Sequence, residues 1–205
     1  MVALPESDLP LSGLAESDLP ESDLPLSGLA ESDLPVSDLA VSDLAVERVD
    51  WDDPRAVALR GAMEDEMNEL YGPLAQSLPD GVMEQLSVGF DVLPGTIVAT
   101  VLAVDGDVAV GQAGLRPHHT DAGPALEVKK VVVAPEHRGR GASRLLMAAL
   151  EDAARERGIR RLILQTGPLQ PAAIALYEKI GYAAIEPYPP YQLMPGALCY
   201  EKQLD

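Results

Sequence analysis

The segment Arg138-Gly139-Arg140-Gly141-Ala142-Ser143 has the residue types of an anion cradle. It follows a β-branched run, Val131-Val132-Val133, and a stop at Pro135. It precedes an apolar pattern of helical spacing through Leu145, Leu146, Ala149, Leu150 and Ala153. A strand, a glycine-rich turn and a helix in that order aim several backbone N–H groups at one spot. The positive end of the helix dipole faces the same spot. Phosphate is the commonest guest of such a place. Gly139 and Gly141 leave no Cβ to block close approach, and Arg138 and Arg140 add charge and directional donors.

Few other residues offer chemistry by spacing alone. His118 and His119 are adjacent, beside Asp121, in what reads as a loop. They lack the spacing of a helical metal pair, so both are expected to be exposed and no metal is expected. The one cysteine, Cys199, has no basic neighbour to activate a thiolate and reads as a buried strand residue. It cannot form an internal disulfide, which fits a reducing cytoplasm. The stiff aromatic stretch Pro187-Tyr188-Pro189-Pro190-Tyr191 is a candidate border for a binding mouth.

These residues need elements to hold them. Val46–Val49 reads as a first strand. Asp52 or Asp53 caps a helix with Pro54 in its first turn, and Ala56, Leu59, Met63, Met67 and Leu70 continue it until Gly72-Pro73 stops it. A short helix lies near Val82–Leu86. Thr96–Val104 is a strand, Asp105-Gly106 a hairpin turn, and Asp107–Leu115 the returning strand. Arg116-Pro117 ends it, and 117–124 is a loop. Leu126–Val133 is the strand that feeds the glycine turn and a helix to about Arg157, with Gly158 as its C-cap glycine. Arg161–Thr166 completes a parallel β-α-β unit. Gln170-Pro171 starts a helix that Gly181 ends. Tyr182–Ile185 and Ala197–Tyr200 close the chain. The order β-α-α-β-β-β-α-β-α-β-β predicts an α/β (α+β) fold: a mixed, mostly antiparallel central sheet with one parallel pair and helices on both faces.

Composition supports two objects in the 205 residues. The apolar content of 47% is that of a globular protein. The net charge of −18 argues against nucleic acid as a partner, since a phosphate backbone is bound with surplus Lys and Arg. No long apolar run or basic leader suggests a membrane or a signal peptide. Residues 1–46 hold ten acids and no Lys or Arg. Leucine recurs there every five residues, at 4, 9, 14, 19, 24, 29, 34, 39 and 44. Five matches neither 3.6 nor 2, so no helix or strand gathers these leucines on one face. Residues 1–45 are therefore expected to be a disordered acidic arm. A second reading stays open. Ser-Asp-Leu-x-x resembles the unit of pentapeptide-repeat β-helices, although proline after leucine departs from it and nine units make only about two coils. The domain proper is expected over 46–205.

Two motifs together resemble the GCN5-related N-acetyltransferase superfamily. The first is Val133-x-Pro135-x-x-Arg138-Gly139-x-Gly141. The second, about 35 residues on, is Ala175-Leu176-Tyr177-Glu178-Lys179-Ile180-Gly181-Tyr182. The resemblance covers residues 46–205 and implies an acyl-CoA N-acyltransferase fold with acetyl-CoA as cosubstrate. It places the pyrophosphate on the amides of Arg138, Gly139, Arg140, Gly141, Ala142 and Ser143, and the pantetheine arm along Val131, Val132 and Val133. Ser143 departs from the usual Gly or Ala but stays small. Gln170 stands near a common Asn. The resemblance also implies Tyr177 as the acid for the leaving thiolate and Glu127 as a base for the amine. An exposed strand carboxylate paired with Lys129, two positions along the same face, is the competing reading of Glu127. Arg116 is a candidate grip for an acceptor carboxylate. The activity expected is acetyl transfer to a primary amine of a small or amino-acid-like acceptor, in a ternary complex. The alternative is a silent acyl-CoA-binding module whose acidic arm recruits a basic partner. Members of the superfamily are often dimers, so a homodimer is the default expectation.

Overall fold

The computed structural model describes residues 43–93, 95–120 and 123–205. The chain divides into two units, Met1–Leu39 and Ala40–Asp205. The first unit, and with it the reading of the acidic arm, lies outside the described residues.

Seven strands form one sheet in the order β1-β2-β3-β4-β5-β7-β6. They are β1 (Leu44–Val49), β2 (Ala99–Asp105), β3 (Val108–Thr120), β4 (Gly123–Val133), β5 (Arg161–Thr166), β6 (Ala183–Ile185) and β7 (Leu198–Gln203). Among the described residues, four α-helices accompany them: α1 (Pro54–Gln76), α2 (Val82–Phe90), α3 (Ala142–Glu156) and α4 (Pro171–Lys179). Every pair is antiparallel except β4–β5, which α3 connects in parallel. The element order is the one expected from periodicity and turn signals.

Alternation along β4 sorts the two faces. Leu126 and Val128 join Leu146, Met147, Leu150 and Ala154 of α3 in the larger core. The other face carries two smaller clusters. Ala56 and Leu59 of α1 meet Leu102, Val104 and Val132. Ala125, Ile163 and Cys199 meet Tyr188 and Tyr191, with Phe90 of α2 alongside.

Three boundaries differ from the sequence expectation. Helix α1 does not stop at Gly72-Pro73 but runs to Gln76. Pro73 deprives only the Glu69 carbonyl of a partner, and the Ser77 hydroxyl caps the end on Leu74. Residues 117–124 are not a loop: β3 continues through Pro117 to Thr120, pairing Pro117 with Leu126 and His118 with Ala125. Pro117 is tolerated because β2 pairs only as far as Leu115, so β3 is an edge there. The domain's first strand opens at Leu44, the ninth leucine of the repeat, not at Val46.

Helix α3 ends as expected. Gly158 takes φ +71 while its N–H bonds Arg155 and that of Ile159 bonds Ala154.

Candidate active site

The glycine turn forms as the sequence implies. Gly139 and Gly141 sit at φ +80 and +91, a region that strains other residues. A Cβ at either would meet nothing within 4 Å, so their outer side is open. Gly141 is the N-cap of α3 and offers no side chain to the helix end. The first bond of that end runs from Leu145 N–H to the Gly141 carbonyl, which leaves the amides of Ala142, Ser143 and Arg144 aimed outward.

Strands β4 and β5 pair only at Leu126–Leu162 and Glu127–Ile163. Beyond that point β4 runs on to Val133 and β5 to Thr166 without pairing to each other. The cause is local. Between Gln112 and Gly114 the β3–β4 register slips, and Lys130 takes φ +53, a left-handed conformation for a residue with a side chain. The Gln112 amide donates to the Lys130 carbonyl and fixes the bulge. Val131–Val133 thus line a wedge that opens toward the glycine turn. The wedge, the bare glycines and the outward amides fit a diphosphate with an extended amide-bearing arm.

The two turn arginines already have partners. Arg138 bonds the Val133 carbonyl and Glu66 of α1, at 3.0 and 2.6 Å. Arg140 bonds Asp105 at 2.6 Å. Lys130 pairs with Glu64 at 3.2 Å, so α1 is tied to both the bulge and the turn. The Tyr71 hydroxyl of α1 accepts from Leu169 N–H and lies over Gly167, where a Cβ would sit 2.0 Å from it. Gln170 turns its oxygen back to Thr166 and Gly167.

Glu127 is not the exposed strand carboxylate weighed above: it is 0% exposed. Arg116 Nε donates to its Oε2 at 2.7 Å. Tyr191 and Tyr188 donate to Oε1 at 2.8 and 3.2 Å, and Lys129 Nζ lies 3.5 Å from the same oxygen. Burial works to raise its pKa, but Lys129, Arg116 and the Tyr191 hydroxyl outweigh burial and hold it below the ordinary value. A carboxylate this enclosed and this firmly ionised is a weak direct base.

Arg116 is not free to grip an acceptor. Three of its five donors serve Glu127 and the Asp91 and Gly89 carbonyls. The Gly89 carbonyl, at the negative end of α2, also accepts from Lys129 Nζ and lies 2.8 Å from the Tyr191 hydroxyl. Gly89 has no room for a side chain: a Cβ would meet Pro190 at 2.7 Å and the Tyr191 ring at 2.8 Å. Burial lowers the Lys129 ammonium to about 8 against the pull of Glu127.

His118 also departs from expectation. It is partly enclosed, edge-on to the Tyr188 ring at 5.0 Å, with Nδ1 3.7 Å from Glu127 Oε2. His119 is exposed. Tyr177 packs against Tyr182 and Tyr200, and burial pushes its hydroxyl up to about 12. Cys199 is buried and its thiol is pushed up to about 11, also by burial.

Sequence reasoning paired Lys129 with Glu127 and set Tyr188 and Tyr191 at a binding mouth, but it missed His118 and Gly89 and did not join these residues into one cluster. The usable signal was the β3–β4 hairpin. Once β3 is carried past Pro117, Arg116 stands directly opposite Glu127.

This geometry agrees with what the chain is similar to. The model of the acetyltransferase (GNAT) family matches residues 62–182. The chain belongs to that family. It is 44% identical over 78 residues to IAA acetyltransferase of Azospirillum brasilense, covering 38% of this chain and 51% of that protein. It is 35% identical over 114 residues to streptothricin acetyltransferase of Streptomyces lavendulae, covering 54% and 58%. The chain thus spans little more than half the length of these relatives. Among solved structures, a Klebsiella pneumoniae protein classed as an acyl-CoA N-acyltransferase is 29% identical at TM-score 0.60, over 79% of this chain and 98% of that one. The PaiA N-acetyltransferase of Thermoplasma acidophilum, solved with coenzyme A, shares the fold at 13% identity and TM-score 0.53, over 78% and 98%. Among the described residues, no helix is long and apolar enough to cross a membrane.

Proposed function

We propose that this protein moves an acetyl group from acetyl-CoA to a primary amine of a small or amino-acid-like acceptor, with both bound at once. The observation that carries this reading is the parting of β4 from β5 beside the open glycine turn. The names of the two relatives, both acetyltransferases, support the acetyl transfer.

Acetyl-CoA, when bound, supplies an activated thioester carbonyl. The amides from Gly139 to Ser143 hold its diphosphate, and Arg138 and Arg140 add charge as they exchange Glu66 and Asp105 for phosphate oxygens. Backbone groups of Val131–Val133 pair with the amide arm. Tyr177 keeps its proton at neutral pH. A thiol has a pKa of about 8.5, so a tyrosine near 12 serves the leaving sulfur by hydrogen bonding to its developing charge, not by outright ionisation. Glu127 acts as the anion that orients Tyr188, Tyr191 and Lys129 at the acceptor end, with Arg116 as its anchor. The compartment is cytoplasmic and the assembly a homodimer.

Calorimetry with acetyl-CoA, followed by thiol release with a panel of amines, tests the reading. Heat and thiol together support it. Heat without thiol from any amine points to a silent binding module, and no heat removes the acyl-CoA reading altogether. Hydrogen exchange over residues 1–46 tests the arm, and light scattering the dimer.

A further inference from the structure

Acetylation of an ammonium acceptor leaves a proton to dispose of. The C–N bond forms and the thioester C–S bond breaks. Of the three ammonium protons, one stays on the amide, one goes to sulfur and one must reach water. The base that the resemblance implies is sealed: Glu127 has no exposed surface, and both of its oxygens are engaged. Tyr191 is equally enclosed. Arg116 is committed to Glu127 and to the Asp91 and Gly89 carbonyls. The Lys129 ammonium is held by the Gly89 carbonyl and the Tyr191 hydroxyl, with its side chain 8% exposed. His118 is the member of the cluster that combines a titratable ring with an outlet, for its side chain is 19% exposed and its Nδ1 faces Glu127.

We propose that His118 is the proton port of this site: its imidazole takes the surplus proton beside the Glu127 carboxylate and passes it to solvent. The proposal rests on the reading that this site acetylates an amine.

Every group facing the ring fits the role. On its own strand stand Arg116 and His119; on β4 stand Glu127 and Lys129; from the segment after β6 comes the edge of Tyr188. Burial, opposed by Glu127 and assisted by the cations, holds the imidazole below its ordinary 6.5. The ring is therefore neutral at pH 7 and able to accept a proton, and Glu127 stabilises the imidazolium once it forms. Shortening the 3.7 Å separation by roughly 1 Å gives a hydrogen bond, and catalytic hydrogen bonds commonly tighten only with substrate present. Tyr188 fixes the ring from the side, so small motions stay directed at Glu127.

The test is the kcat–pH profile of the full chain with acetyl-CoA and the best amine of the panel, compared with His118→Gln and His118→Ala. His118→Gln should lower kcat about 10²-fold, leave the KM for acetyl-CoA within about twofold and erase the acid limb. Added imidazole should restore His118→Ala at least about tenfold, a recovery that a merely structural role would not give. Nitrogen NMR of the unaltered protein should place the His118 titration at the pH of the acid limb. An active unaltered protein whose kcat and acid limb survive in His118→Gln overturns the proton port alone. Coenzyme binding without turnover by the unaltered protein overturns the enzymatic reading, and the port with it.

Discussion

Replacing Glu127 by Gln tests whether the buried cluster is held by charge. The substitution keeps one carbonyl oxygen and the shape of the side chain. It removes the anion that faces Arg116 at 2.7 Å and Lys129 at 3.5 Å, and it presents amide hydrogens to one of these cations. Two enclosed cations then share no counter-ion, since His118 is neutral. Breaking a buried pair by removing one partner costs about 3–5 kcal/mol. For a domain of this size each kcal/mol moves Tm by about 2–4 °C, so the midpoint should fall by roughly 6–20 °C. Urea denaturation of both proteins at pH 7 measures the loss directly. The pH dependence supplies a second check. The folded-state pKa of Glu127 lies below the ordinary 4.5, so its contribution is complete above that pH and is lost as pH falls through the folded value. Glu127→Gln should therefore flatten the acid side of the stability curve. Adding Lys129→Met to Glu127→Gln removes an unpaired cation and should recover about half of the loss. A Glu127→Gln protein within about 1 kcal/mol of the parent would refute the view that charge organises this cluster.

Three further outcomes follow from the geometry. Gly141→Val forces a branched side chain to φ +91 at about 1–2 kcal/mol and fills the open side of the turn. Calorimetry should show coenzyme A binding weakened about ten- to a hundredfold while the fold survives. Tyr177→Phe should lower kcat and leave the acetyl-CoA dissociation constant nearly unchanged; an unchanged kcat removes Tyr177 from the reaction. Glu66→Gln frees Arg138 from an exposed ion pair worth about 0.2–1 kcal/mol, so coenzyme A should bind up to about fivefold more tightly at low salt.

The elements were legible because their signals are local. The glycines at 139, 141, 158 and 181 all adopt positive φ where a turn or helix end needs it, and the apolar spacing of α3 marks its buried face. Pro117 misled because its effect depends on how far a neighbouring strand extends, which local chemistry does not encode. Pro73 misled for a related reason: near a helix end, a missing N–H harms little. The glycine turn is a contiguous segment, and its geometry could be read from it. The buried cluster around Glu127 is assembled from Gly89, Arg116, His118, Glu127, Lys129, Tyr188 and Tyr191, drawn from four separate stretches of chain. Only the register of β3 on β4 and the seating of α2 bring them together.

The two cationic donors on the Gly89 carbonyl have a consequence for anyone redesigning this cluster. The last turn of α2 is bolted to the Glu127 cluster by the same groups that set its charge, so under the function proposed above edits there change selectivity and reactivity at once. The opening turn of α2, where Met83 already faces water, carries no such bolt. Libraries that vary Met83 and its neighbours Glu84 and Gln85 can reshape what the helix covers while leaving the chemistry beneath it undisturbed.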